Sequence, residues 1–569
     1  MMRCPPSPVR RRTGQWFFIL LLGFGLIGLR FVYLQVVRHA FFVDLAEQLH
    51  HRNVVIPATR GQILDRNGTV LAMSSTGRSL FLDPSLIAPH QRATVAGQVA
   101  PLLGMSVARV RALLDRPGRF VWLQRQAEDD VADRVLALKI RGIGAQTEAR
   151  RIYPMGDLAA QTLGFINGEH VGSAGMELVH DRVLRGTPGH RFVEIDRRGR
   201  PIPGSRREET PAVDGGQVVL TIDARIQSIA EAQLARAVKE HRARGGTAVV
   251  MDPVSGDILA LANLPSFDPN HYTRSSPERW ANPAVSHTYE PGSTYKLITA
   301  AAALEEGIMG PTETAYCPGT LAVGKRVIHC AHGQAHGRVH LEKIIEKSCN
   351  VGAATVGLRL GRQNLARYVR LFGFGSRYGV GLPGEATGMI GNPATWSEIR
   401  LANAAFGQGI SVTPLQLAAA YCAVANGGVL PRPHLIRTVV SPGAPPETPA
   451  YPGNRIISEQ TAATLRKMLQ QVVESGTGTG VQIEQYTVAG KTGTAQKALP
   501  GVGYASGRYI GSFIGFVPVE NPAIVILVVI DEPRNGYYGG VCAGPAFKEI
   551  AQQSLVYLGV PPQTVARAH

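Results

Sequence analysis

No internal repeat and no long low-complexity tract runs through the 569 residues, which sets aside repeat architectures and extended biased segments. Charged residues are sparse at 18%, against 44% hydrophobic, so the chain can bury a sizeable core and is not disordered. Acidic residues are the scarcer sign. The formal net charge of +17, carried mostly by Arg, suits an anionic membrane surface or an anionic substrate, and a compositional drift toward Arg accounts for it equally well. No zinc-finger helix, RNA-binding aromatic pair or basic heptad region accompanies the charge, so a nucleic acid is not the expected partner. Bilayer-length apolar runs are rare too, and the one that stands out is near the start. Arg10, Arg11 and Arg12 precede the uncharged residues 16–29, and apolar character resumes after Arg30. Residues 16–37 are long enough to span a bilayer, with the basic residues on the cytoplasmic side and Arg30 snorkelling near one end. No small-x-small cleavage site follows, so a retained signal anchor is expected, with the bulk of the chain outside the cytoplasm.

The length suggests roughly three to four units. After the anchor, residues 41–50 read as a short helix leading into the strand 54–56. Apolar runs flanking Asn67-Gly68 predict strand, turn, strand, because both turn residues tolerate positive φ. Helical spacing recurs at 95–114 and 127–140. A Pro/Gly/charge-rich stretch, 201–216, is the expected domain boundary. Beyond it come a strand at 218–221, an amphipathic helix at 223–241 and an antiparallel pair at 247–251 and 257–263. A second pair at 509–517 and 523–530 precedes a C-terminal helix at 545–558. Terminal helices and antiparallel strands around a helical middle argue for an α+β domain.

Three short stretches carry chemistry. Ser293-x-x-Lys296 places a hydroxyl and an amine on one helical face, and a lysine crowded into a partly buried site can lose its proton and act as the base. Ser348-Cys349-Asn350 follows, then Lys491-Thr492-Gly493-Thr494. In this reading Ser293 attacks a carbonyl, Lys296 takes its proton, Ser348 relays a proton to the leaving amine and Asn350 holds Lys296 and the substrate amide. The charge of Lys491 favours a neutral Lys296 and attracts a carboxylate, to which Thr492 and Thr494 offer hydroxyls. Gly493 lets its edge strand approach the acyl group, and the N–H groups of Ser293 and Thr494 form an oxyanion hole.

In this order the three stretches match the serine penicillin-recognising enzymes, and the chain resembles the class B penicillin-binding proteins over nearly its whole length. Arg60-Gly61-x-Ile63-x-Asp65-Arg66-Asn67-Gly68, Gly175-Met176-Glu177 and Asp196-Arg197-x-Gly199 look like motifs of that family's non-catalytic pedestal. Phe406-Gly407-Gln408-Gly409, Val412-Thr413-Pro414-Leu415-Gln416 and Ala425-Asn426-Gly427-Gly428 are similar to segments of its transpeptidase domain. The resemblance implies a cytoplasmic tail at 1–15, an anchor at 16–37 and an elongated mixed pedestal, or dimerisation-like, domain at 38–215. A transpeptidase domain at 216–569 follows, with an antiparallel sheet covered by helices on both faces and a helical subdomain. It implies D,D-transpeptidation without a catalytic cofactor. The serine is acylated by the D-Ala-D-Ala end of a peptidoglycan stem peptide, D-Ala leaves, and an amine of a neighbouring strand accepts the acyl group. Beta-lactams acylate the same serine.

Glu290 before the nucleophile and Asn350 in the second stretch look like the division-specific, FtsI-type branch rather than the elongation branch. That implies septal synthesis, a lipid-II glycosyltransferase partner of the FtsW type and other divisome proteins. A serine beta-lactamase shares the three stretches, but the anchor, the long pedestal and the lack of an obvious deacylating carboxylate speak against it. A membrane beta-lactam sensor usually has several spans and a cytoplasmic effector domain, where this sequence has a single anchor.

Six cysteines occur, and Cys317, Cys330 and Cys349 fall close together with His329, His332, His336 and His340. Two readings stand. A Cys317–Cys330 disulfide suits an oxidising compartment and strands Cys349. Three thiolates and one imidazole, Cys317, Cys330, Cys349 and His336, would hold a structural zinc bracing the loop of Ser348 and Asn350.

Overall fold

The computed structural model describes residues 8–194, 202, 208–310, 312–499 and 503–563. The motif Asp196-Arg197-x-Gly199 lies outside these residues. The chain divides into two compact units, residues 1–58 with 187–214, and residues 59–186 with 215–569.

In the first unit the helix Pro8–Val32 continues through a turn of π-helix, Tyr33–Val37, into the helix His39–His50. Among the described residues, Arg12–Val37 is the one helix long and apolar enough to cross a membrane. Its large side chains, from Trp16 through Phe24 to Val37, are exposed all round, which an aqueous fold does not tolerate and a single-pass anchor requires. The strands His51–Ile56, Gly189–Glu194 and Glu208–Thr210 form a small antiparallel sheet.

The second unit is organised by two sheets. One has the order Ile258–Leu264, Gly245–Met251, Ile524–Asp531, Gly503–Val517, Ala489–Leu499, antiparallel throughout. Its central strand is a continuous apolar run because both faces are covered. Ile524, Ile526, Val528 and Ile530 pack with the helices Ala224–Glu240 and Gly544–Tyr557, through residues such as Leu234 and Phe547. Val525, Leu527 and Val529 point the other way, into the cluster that holds the helices Lys296–Glu305, Pro414–Ala425 and Glu459–Glu474. Pro414–Ala425 is buried along its whole length and starts at a capping box in which the Thr413 hydroxyl and the Gln416 amide each satisfy the other residue's backbone N–H.

The other sheet takes strands from both sides of residue 216. Ile436–Val440, Gln217–Leu220, Ile63–Leu64, Val70–Leu82 and Val121–Ala127 lie in that order, and Ile143–Ile152 also pairs with Val70–Leu82. The Asn67-Gly68 turn forms as its sequence predicts, with Gly68 at φ +86°. Asp65 accepts from the N–H groups of Asn67 and Thr69, and its second oxygen accepts from Ala224 N at the start of the helix Ala224–Glu240. Asp223 caps the same helix and accepts from the Asn67 amide, so the turn is pinned to a helix end. The helices Arg92–Leu103, Val107–Leu114 and Asp129–Ala137 pack with Leu80, Leu82 and Leu123 into a separate core.

Two of the motifs meet. Arg60 Nε donates to Glu177 Oε2 at 2.7 Å, and Arg151 Nε donates to Glu177 Oε1 at 2.6 Å, with all three side chains buried. Arg60 also reaches Asp181 at 2.6 Å. Gly175, at φ +55°, turns the chain where a Cβ would lie 2.6 Å from Thr162 O. Removing the anion would leave two buried guanidiniums facing each other. Glu177→Gln is therefore expected to lower stability by about 3 kcal/mol or more, read as a fall in the thermal or urea midpoint, and an unchanged midpoint contradicts this role.

Candidate active site

Glycine builds the nucleophile turn. Gly292 has φ +55° and its N–H donates to Gly407 O at 3.1 Å. Gly407 has φ +82°, and a Cβ there would lie 2.2 Å from Gly292 O. Ser293 follows in the 3-10 turn Gly292–Tyr295, which is held at its start by Thr294 Oγ1 donating to Pro291 O and towards its end by Tyr421 Oη donating to Thr294 O, both at 2.8 Å. The Ala-rich helix Lys296–Glu305 then runs into the core, with Lys296 to Ala303 all buried.

Lys296 is the centre of the site. Its Nζ lies 3.1 Å from Ser293 Oγ, 3.1 Å from Ser348 Oγ, 2.6 Å from Ser348 O and 2.7 Å from Asn350 Oδ1. Ser348 reaches this position with φ +56°, an unusual backbone for a non-glycine residue. The Asn350 amide is fixed at its other end by Nδ2 donating to His329 O at 3.0 Å. Burial pushes the Lys296 amine down to about 7, a shift that negative charge on Cys349 or Cys330 would oppose. Lys491, also buried, is itself pushed well below its ordinary value, first by burial and then by the charge of Lys296. Desolvation is thus the first cause for both amines, and the positive charges of Lys296 and Lys491 disfavour one another.

Lys491 to Thr494 lie on the edge strand Ala489–Leu499, beside the nucleophile turn. A Cβ on Gly493 would meet Ser512 Oγ at 2.4 Å and Thr294 Cγ2 at 2.9 Å, so the missing side chain lets the strand pack against the nucleophile turn itself. Thr494 O faces Gly292, at 3.4 Å from a Cβ built there. A strand residue aims its N–H and C=O to the same edge, so the Thr494 N–H also faces the turn, as an oxyanion hole with Ser293 N requires. Thr492 Oγ1 lies 2.8 Å from Thr477 Oγ1, and Thr494 Oγ1 accepts from Gly539 N at 3.1 Å. Thr477 and Gly539 were not singled out from the sequence. Their signal is the run Ser475 to Gly480 and the Gly-rich segment after Tyr538, each a cluster of small residues that lets backbone come close to the strand.

Glu290 has a physical role as well as a place in a motif. It accepts from Gly409 N at 3.0 Å and from Tyr504 Oη at 3.1 Å, which ties the nucleophile segment to a neighbouring loop and to the start of the strand Gly503–Val517, and burial raises its carboxyl. A cavity of about 790 Å³ opens beside Asn350, between His329, Asn403, Gln408 and Gln496.

The cysteine cluster adjoins the second catalytic stretch. Cys317 Sγ and Cys330 Sγ stand 3.6 Å apart and unbonded, Cys330 Sγ and Cys349 Sγ 3.7 Å apart, and Cys317 Sγ is 3.5 Å from His336 Nδ1. Two of the other nearby histidines, His332 and His340, are engaged elsewhere. His332 meets Tyr538 Oη at 2.9 Å, and His340 accepts from Lys343 N at a helix start.

A serine and a dry lysine under an edge strand, on a sheet sandwiched between helices, define a serine acyltransferase of the penicillin-recognising kind. Residues 246–552 match the penicillin binding protein transpeptidase domain, and residues 55–220 match the penicillin-binding protein dimerisation domain. The chain belongs to the penicillin-binding protein family, with the bimodular organisation of its class B members. It is 37% identical to a probable peptidoglycan D,D-transpeptidase PenA of Neisseria meningitidis, over 96% of this chain and 92% of that protein. It is 32% identical to the peptidoglycan D,D-transpeptidase FtsI of Escherichia coli K12, over 97% of this chain and 93% of that protein. The fold is similar to that of penicillin binding protein 3 from Mycobacterium tuberculosis in complex with aztreonam, with a TM-score of 0.71 and 32% identity, covering 90% of this chain and 98% of that one.

Two outcomes are expected from this geometry. Only the neutral amine of Lys296 can take the serine proton, so acylation by a chromogenic beta-lactam should rise with pH through about 7 and level off above it. A profile flat across neutral pH contradicts Lys296 as the base. Gly493→Ala should lower the acylation rate about 10²-fold by displacing Thr294 and the serine beside it, while costing no more than about 3 kcal/mol of stability.

Proposed function

We propose that this protein is a peptidoglycan D,D-transpeptidase that cross-links stem peptides during septal wall synthesis. The observation that carries the reading is one buried amine within 3.1 Å of two serine hydroxyls, Ser293 Oγ and Ser348 Oγ.

Two N–H bonds of neutral Lys296 go to Ser348 O and Asn350 Oδ1, the nearest acceptors, which aims the lone pair at Ser293. Ser293 Oγ attacks the carbonyl carbon of the penultimate D-Ala as its proton passes to Lys296 Nζ. The N–H groups of Ser293 and Thr494 hold the oxyanion. The proton moves on through Ser348 Oγ to the nitrogen of the terminal D-Ala, the C–N bond breaks, and an ester to Ser293 is left. An acceptor amine then attacks the ester, loses its proton by the same route in reverse, and returns the Ser293 hydroxyl as the new amide forms. The terminal carboxylate of the donor docks at Thr492 and Thr494, and its negative charge favours the protonated form of Lys491. In a beta-lactam the leaving nitrogen stays tethered to the acyl group.

The basic segment before the apolar helix supports a cytoplasmic N-terminus with the folded part outside. Glu290 and Asn350 support the division-specific branch, with an FtsW-type glycosyltransferase and other divisome proteins as partners.

Incubation with a fluorescent penicillin should give long-lived labelling of the full-length protein and none of Ser293→Ala, whereas rapid turnover of the label would mark a beta-lactamase. A stem-peptide donor with an added amine should release D-Ala and give the cross-linked product. A fluorescent fusion should gather at the septum, and depletion should yield filaments; side-wall localisation with rounded cells would overturn the septal assignment.

A further inference from the structure

We propose that Cys317, Cys330, Cys349 and His336 form a closed structural zinc site that braces the second catalytic segment. The four candidate ligand atoms lie within 4.8 Å of one another, and the three sulfurs are buried. Tetrahedral zinc holds sulfur at about 2.3 Å and imidazole nitrogen at about 2.0–2.1 Å, which sets sulfur–sulfur edges of about 3.8 Å and sulfur–nitrogen edges of about 3.5–3.6 Å. Three of the six edges match these lengths, at 3.6 and 3.7 Å between sulfurs and 3.5 Å from Cys317 Sγ to His336 Nδ1, and all six lie within 4.8 Å. A disulfide needs sulfurs about 2.0 Å apart and would use only two of the three thiols.

The chain around the ligands is shaped to present them. Cys317 ends the strand Thr314–Cys317, Cys330 follows the strand Arg326–His329, and His336 precedes the strand Gly337–His340. Cys330 N donates to Gly319 O and His336 N to Cys317 O, so the first three ligands are tied by the backbone. Gly319, at φ +94°, allows this loop to close, since a Cβ there would lie 2.5 Å from Gly333 O. Cys349 comes from a separate segment. It caps the helix Asn350–Leu371, and its sulfur accepts from Gly352 N at 3.2 Å, an outer-shell hydrogen bond suited to a metal-bound thiolate. Loading would convert three thiols to thiolates, release their protons to solvent, and leave no open coordination position.

The consequence lies in what the fourth ligand joins. Cys349 stands between Ser348, whose carbonyl and hydroxyl meet Lys296, and Asn350, whose amide spans from Lys296 to His329 O. The strand Arg326–His329 lines the cavity beside Asn350. A metal across Cys317, Cys330, His336 and Cys349 therefore locks the second catalytic segment to one wall of the cleft.

The test uses the full-length protein in detergent, purified without added metal or chelator, and its metal readouts do not depend on the transpeptidase reading. Elemental analysis should find about one zinc per chain, and exchange to cobalt should give the visible absorption of a tetrahedral thiolate-rich site. His336→Ala and Cys330→Ser should each lose the metal. Stripping the wild-type protein should lower its thermal midpoint and slow beta-lactam acylation about 10²-fold, with both restored by zinc. Substoichiometric zinc in protein whose thiols all titrate as free would overturn the proposal. So would a Cys317–Cys330 bridge found by non-reducing peptide mapping. The wild-type measurements stand even if a cysteine variant fails to fold.

Discussion

Everything in the catalytic half depends on keeping one amine out of water. Lys296 is as buried as the alanines that follow it in its helix, and that burial favours its neutral amine near neutral pH. An amine in such a place must still be hydrogen-bonded, because an unpaired buried polar group costs about 1–3 kcal/mol or more. Its acceptors are Ser293 on its own helical turn and Ser348 and Asn350 on another segment. The requirement to satisfy one buried group thus draws two distant parts of the chain together, and it holds Ser348 in a left-handed backbone conformation that its own side chain disfavours.

The sheet supplies the remaining constraint. A strand with both faces covered can be apolar throughout, and Ile524–Asp531 divides its alternate residues between two cores. The edge strand Ala489–Leu499 keeps one side unpaired by other strands, and there the nucleophile turn sits. Glycine decides how close they come. Gly493 and Gly407 remove the two side chains that would collide with Thr294 and Gly292, so the turn is held between a strand and a loop with backbone against backbone.

The pedestal motifs serve the same economy of polar groups. Arg60, Arg151 and Glu177 are far apart in the chain and meet in a dry cluster, and Asp65 completes the N-terminus of a helix that begins at Ala224. Neither role concerns catalysis. Each satisfies backbone or charge that the fold would otherwise bury without a partner.

Much of this was legible beforehand, because the signals are local. Period-2 and period-3.6 patterns located the central strands and the helices Ala224–Glu240 and Gly544–Tyr557, and Asn67-Gly68 located the turn. The strand Ile143–Ile152 and the length of Val70–Leu82 beyond its first residues were not legible, since Ser74-Ser75-Thr76 and Thr147 to Arg151 carry no clean alternation and are paired along their length by each other. Residue types and order alone pointed to the proposed nucleophile, its partners and the apolar anchor, because chemistry restricts which side chains can attack, relay a proton or face lipid. Only the tertiary structure decided that Lys296 and Lys491 are both stripped of water, that Thr477 and Gly539 hydrogen-bond the hydroxyls of Thr492 and Thr494, and that the sulfurs of Cys317, Cys330 and Cys349 gather beside His336. Those outcomes depend on distances between segments remote in sequence and on how much water each group keeps, and neither quantity is written in any one stretch of the chain.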